Sequence, residues 1–97
     1  MDGFILFVTY KIKMGMREKF IEEVKSSGIF EKIKNDDGFV RYEYYLCEAD
    51  PNKLLLIEEW KSEKHQQSHM CTNHMNKYKL IKEKYVNDTD VKRVTIQ

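Results

Sequence analysis

Apolar residues recur along this chain with two different periods, and the change of period marks its elements. Phe4 to Ile12, FILFVTYKI, is rich in β-branched and aromatic residues and predicts a first strand. Phe4, Leu6 and Val8 share one face of it, and Ile5 and Phe7 share the other. A strand apolar on both faces expects a cover on both. From Met16 to about Lys34 the period becomes helical: Met16, Phe20, Ile21 and Val24, then Ile29, Phe30 and Ile33. Ser26-Ser27-Gly28 predicts a break inside that helix, and Asn35-Asp36-Asp37-Gly38 predicts its end. Phe39 to Glu48 predicts a second strand, with Tyr42, Tyr44 and Leu46 on one face and Arg41, Glu43, Tyr45 and Cys47 on the other. Ala49-Asp50-Pro51-Asn52 is a turn, so the next strand, Lys53 to Trp60, should return as the partner of a hairpin.

The rest of the chain is more polar. Ser62 is placed to cap a short helix through His69, and Thr72 or Asn73 to cap another from His74 to about Val86. The second helix carries Met75, Tyr78, Ile81 or Lys82, and Tyr85 on one side. Asn87 to Asp90 predicts a turn and Val91 to Ile96 a last strand. The order β-α-β-β-(α)α-β is the ferredoxin-like α+β arrangement with an antiparallel sheet. The 97 residues make one domain, 1–97. A chain of this size buries only about 60–65% of its extended-chain surface, so a partner subunit would help to stabilise it.

Charge removes several function classes. The 17 basic and 16 acidic residues nearly cancel, so no electrostatic case exists for nucleic acid or an acidic membrane surface. No apolar run approaches the ~18 residues of a membrane span, and Met1-Asp2-Gly3 is not the basic start of a signal peptide. Cys47 and Cys71 form no C-x-x-C and read as free thiols. The expected setting is the cytoplasm.

The candidate chemistry is concentrated between Leu54 and Tyr78, which hold the one tryptophan and all three histidines. His69 and His74 are either proton-handling groups or histidines tied up at a helix junction; an imidazole suits the first role because it titrates near neutrality. His65 reads as an exposed helical residue. Trp60 is either a flat wall for an aromatic ligand or, more commonly for a lone tryptophan, a core anchor. Glu58 and Glu59 must point to opposite faces, one inward as a partner for His69 or Arg41 and one toward solvent. Arg41 could bind an anionic group, and Tyr44 is the tyrosine best placed to line a pocket. The histidines lack the fixed three-ligand pattern of a zinc site, and the chain has no phosphate loop, nucleophile elbow or dinucleotide fingerprint, so neither metal nor cofactor is expected.

The run Glu58-Glu59-Trp60, followed by His65, His69, Thr72, His74, Met75 and Lys77-Tyr78, resembles the antibiotic biosynthesis monooxygenase family, and within it the small quinol monooxygenases. The resemblance extends over nearly the whole chain. It implies a homodimer in which two sheets pair face to face as a dimeric α/β barrel. It also implies cofactor-independent monooxygenation, with molecular oxygen, of a quinol, phenol or polyketide-like aromatic. His69 and His74 would be catalytic, and Trp60, Arg41, Tyr44 and Glu58 would bind substrate. Relatives also include an isomerase of a small phosphorylated dione, for which Arg41 and Lys77 are the available cations, and members with no catalysis. Haem-degrading relatives carry an Asn on the first strand and a His on the last helix; here those stretches hold Val8-Thr9-Tyr10, and Lys77 with Lys79.

Overall fold

A computed structural model describes residues 3–95. The strands are β1 (Phe4–Ile12), β2 (Phe39–Leu46), β3 (Lys53–Trp60) and β4 (Val86–Val94), and the helices are α1 (Arg17–Ser26), α2 (Ile29–Lys34), α3 (Glu63–Met70) and α4 (Asn73–Tyr85). All strand pairs are antiparallel, in the order β2-β3-β1-β4. The helices cover one sheet face, which makes this a ferredoxin-like α+β fold.

Strand alternation decides what that face offers. On β1 it presents Phe4, Leu6, Val8, Tyr10 and Ile12, all buried, and on β3 it presents Leu54, Leu56, Glu58 and Trp60, also buried. Register aligns Leu6 with Glu58 and Glu58 with Tyr42, so a carboxylate sits mid-sheet between an aliphatic and a phenol. Helix residues Phe20, Val24, Ile29, Ile33, Met75, Tyr78 and Ile81 close the core above them. The opposite face carries Ile5, Phe7, Leu55 and Ile57, with Arg41 and Glu59 at one end; no helix among the described residues packs on it, Ile5 is buried, Leu55 and Ile57 are half-buried, and Phe7 is 37% exposed.

The expected helix break falls where predicted. Gly28 takes φ +79°, a left-handed conformation that costs glycine little, and the chain restarts as α2. Gly38 is constrained twice: φ is +78°, and an added Cβ would lie 2.2 Å from Cγ of His65. His65 is therefore half-buried against Gly38, with Nδ1 2.8 Å from the Ser62 hydroxyl, and not the exposed helical residue its sequence suggested. Ser62 caps α3 through its side chain, as expected, and of the two candidates for α4 it is Thr72, not Asn73, that caps.

Two boundaries differ from expectation. The second strand stops at Leu46, not Glu48. The turn expected over Asn87 to Asp90 does not form: α4 passes directly into β4 at Val86, and this segment pairs with β1 from Ile12↔Val86 to Ile5↔Val94. The polar run Asn-Asp-Thr-Asp looks like a turn in isolation, but an exposed strand on a sheet edge tolerates it because backbone pairing, not side-chain burial, holds it there. Ile96, the expected end of this strand, lies outside the described residues.

Candidate active site

The histidines meet an acid from a different part of the chain. Asp36, in the turn after α2, places Oδ2 2.7 Å from His69 Nδ1 and 2.8 Å from His74 Nε2. His69 closes α3 and His74 opens α4, so the carboxylate clamps the elbow between the two helices. An ionised carboxylate only accepts, which assigns a proton to each of these nitrogens. His69 is 1% exposed, and its Nε2 is buried without a hydrogen-bond partner. Burial lowers the His69 pKa from its ordinary value, opposed by the Asp36 carboxylate. The ring is thus held neutral, with Nδ1–H donated to Asp36 and Nε2 bare.

The same three donor atoms lie within 4.8 Å of one another and have the composition of a small cation site. A cation would take the His69 Nδ1 lone pair and force the proton onto Nε2, where no acceptor exists. An orphaned buried N–H costs about 1–3 kcal/mol, so the hydrogen-bonded clamp is the better fit to these residues.

Trp60 lies beside this clamp, fully buried at the end of β3. Its ring centroid is 4.3 Å from that of His69, with planes 35° apart. Its indole N–H donates to Glu58 Oε1 at 2.9 Å. Tyr42 meets the edge of His69 from the other side, 5.7 Å between centroids. The anchor role expected of a lone tryptophan is realised, and the ring also links the clamp to Glu58.

Beyond Glu58 lies a chamber of about 130 Å³, lined by β1, β2, β3, β4, α3 and α4 and open on the side of Met70 and Val91. Leu6, Val8, Met70 and Met75 supply apolar wall, and Tyr10, Tyr42, Tyr78, Glu58, Gln66 and Lys82 supply its polar groups. Burial raises the Glu58 pKa above the ordinary carboxylate range, opposed by the Trp60 N–H and by the charge of Lys82. Burial lowers the Lys82 pKa, opposed by Glu58. Each group limits the other's shift, as facing opposite charges in a partly dry space should. The ammonium also lies 5.0 Å from the ring centroid of Tyr78 and 5.8 Å from that of Tyr10, within cation–π range. Tyr78 OH is 2.9 Å from Tyr10 OH and 2.6 Å from Tyr44 OH, so three phenols satisfy one another inside the core. Their pKa values are pushed upward chiefly by burial, and they stay protonated.

Of the six residues that sequence reasoning selected, Glu58 alone lines this chamber. His69, His74 and Trp60 are gathered behind it. Arg41 is on the other sheet face, 3.3 Å from Glu59, because alternation along β2 turns it away from Tyr42. Tyr44 opens instead onto a surface groove of about 510 Å³ between α1, α2 and β2, whose other polar residues are Glu18, Glu22, Lys25, Tyr42 and Glu43. The groove is larger, but Tyr42 is the one residue it shares with the chamber, and it touches neither Glu58 nor the histidine clamp. Sequence reasoning missed Asp36, Tyr10 and Lys82. Tyr10 was detectable as the continuation of the Leu6, Val8 face. Lys82 was placed on the inward side of its helix as an alternative to Ile81, and Asp36 was hidden in a turn.

The fold corresponds to that of a known class of small α+β proteins. The sequence profile of antibiotic biosynthesis monooxygenases matches residues 3–79, and the chain belongs to that family. Among solved structures, a conserved protein from Methanosarcina mazei superposes with a TM-score of 0.87 at 19% identity, covering 100% of this chain and 95% of its own. A Pseudomonas aeruginosa protein gives 0.86 at 15% identity, over 100% and 96%. A Nitrosomonas europaea protein that carries the family's name gives 0.86 at 18%, over 97% and 89%. At these identities the superpositions establish the fold alone. No curated protein matches this chain. Among the described residues, no helix is long and apolar enough to cross a membrane.

Proposed function

We propose that this protein is a cofactor-independent monooxygenase of a single-ring quinol, and that the ring binds in the chamber beside Glu58. The observation that carries the reading is the chamber itself: a largely apolar space, open toward β4 and Met70, holding one carboxylate and one ammonium. An apolar cavity of about 150 Å³ accommodates benzene, so about 130 Å³ suits one ring better than a fused polyketide. An electron-rich phenol reacts with oxygen most readily as its anion, and Lys82 is the cation placed to stabilise that anion and the reduced oxygen that follows. Family membership supports the same class of reaction. His69 and His74 act from behind the chamber, where their shared bond to Asp36 fixes Trp60 and, through its N–H, the Glu58 carboxylate.

The protein works as a homodimer joined through the open sheet face, where Phe7, Leu55 and Ile57 gain a cover. Family membership favours this pairing, and a half-exposed Phe7 is the local reason for it. The test of the catalytic reading is oxygen uptake with a panel of single-ring hydroquinones, wild type against His69→Ala. Uptake above autoxidation that falls in the variant is the expected result. Uptake that equals autoxidation for every quinol overturns the reading.

A further inference from the structure

We propose that Glu58 is the residue that takes the substrate proton in the chamber and returns it, an assignment that rests on the quinol reading above. Geometry selects it by elimination. The base must touch the chamber, and Glu58 is the one carboxylate among the lining residues. It is 5% exposed, so no bulk water competes for its lone pairs. The Trp60 N–H holds Oε1, and the side chain of Gln66 and the ammonium of Lys82 are its other polar neighbours, which aim the carboxylate into the chamber. The other candidates fail on position or on charge. His69 has its bare nitrogen sealed away from solvent and is not among the lining residues. Tyr10, Tyr42 and Tyr78 hold their protons tightly because burial disfavours the phenolate. Lys82 is cationic and accepts no proton in that form.

The steps balance with oxygen as the oxidant. Glu58 takes the proton of the quinol O–H, and the O–H electron pair stays on the substrate as a phenolate. The anion transfers electrons to O₂, and a ring C–O bond forms, leaving a peroxide anion. Glu58 returns its proton to the terminal oxygen, giving a hydroperoxide. The carboxylate then takes the hydrogen of the oxygenated carbon as a proton. That C–H pair becomes the new carbonyl bond, the O–O bond breaks, and the departing hydroxide collects the proton as water. The sum is quinol plus O₂ giving hydroxyquinone plus water. The upward shift of the Glu58 pKa matches this duty, since a carboxylic acid that must receive and give a proton works best when poised nearer the working pH.

The experiment compares wild type, Glu58→Gln and Glu58→Asp as full chains, with the hydroquinone that wild type oxidises best, by oxygen electrode across the acid limb of the pH profile. Gln keeps the volume and still accepts from the Trp60 N–H, so it retains the fold. Loss of general acid–base catalysis should lower kcat of Glu58→Gln by about 10²–10⁴-fold. Its KM should barely move, and its acid limb should disappear. Glu58→Asp should keep an acid limb and an intermediate kcat. Anaerobic quenching of Trp60 fluorescence by the quinol should persist in Glu58→Gln. A Glu58→Gln enzyme with kcat within tenfold of wild type and an unchanged acid limb removes the assignment while the quinol reading stands. Absence of wild-type uptake removes both.

Discussion

The two faces of the sheet are built from the same strands and finish differently. The helix-covered face carries Tyr10, Tyr42, Glu58 and Trp60 among its aliphatics, and every one is buried with a polar partner or an aromatic neighbour. The open face carries Phe7, Leu55 and Ile57 at its centre and one ion pair, Arg41 with Glu59, at its end. The first face is complete within one chain, so it can hold a shaped chamber and fixed donors. The second has an apolar centre with its polar contacts at the β2 edge, where Tyr45 donates to Glu43 beside the Arg41–Glu59 pair, which suits association and not chemistry. Polar groups are costly to bury and must be satisfied in place, so they concentrate on the face that a single chain can close.

The sharpest way to break this contrast is to charge the open face. Phe7→Asp removes an apolar ring from each copy, at about 1.5–3 kcal/mol per buried ring, and adds facing charges. Wild type should sediment as a dimer and the variant as a monomer. Wild type sedimenting as a single copy would show that the open face needs no partner. On the closed face, Asp36→Asn takes the charged acceptor from two imidazoles at once. Hydrogen bonds to charged groups contribute about 1.5–3 kcal/mol each, so thermal unfolding should begin several degrees earlier, and oxygen uptake should fall with it. An unchanged Tm would mean the clamp holds nothing.

A finer test uses pH. The folded Glu58 pKa is raised, so the folded state keeps a proton that the unfolded chain gives up as pH rises. Glu58 is therefore neutral in its effect well below the ordinary carboxylate pKa and destabilising above its raised value. Glu58→Gln should raise Tm at pH 8 and match wild type near pH 3. A stabilisation that is equal at both pH values would show that Glu58 carries no such shift. The smallest effect belongs to Arg41→Ala. Its partner Glu59 is on the open face and exposed ion pairs contribute about 0–1 kcal/mol, so KM for the quinol should not change. A large rise in KM would bring the open face into substrate binding.

Local pattern settled most of the fold. The strands at Phe4–Ile12 and Lys53–Trp60, the break at Gly28 and the cap at Ser62 all depend on neighbouring residues, and each formed where the chain alone predicted. The family resemblance held too, because it rests on a run of contiguous residues. Tertiary structure decided the site. Nothing near Asp36 shows that this acid, and not Asp37, reaches His69 across 33 residues of chain. Strand parity alone cannot say whether Glu58 or Glu59 is buried until the helices choose a face. The clamp, the chamber and the pairing of Glu58 with Lys82 are meetings of distant segments, and a meeting place is a property of packing that no local run of residues encodes.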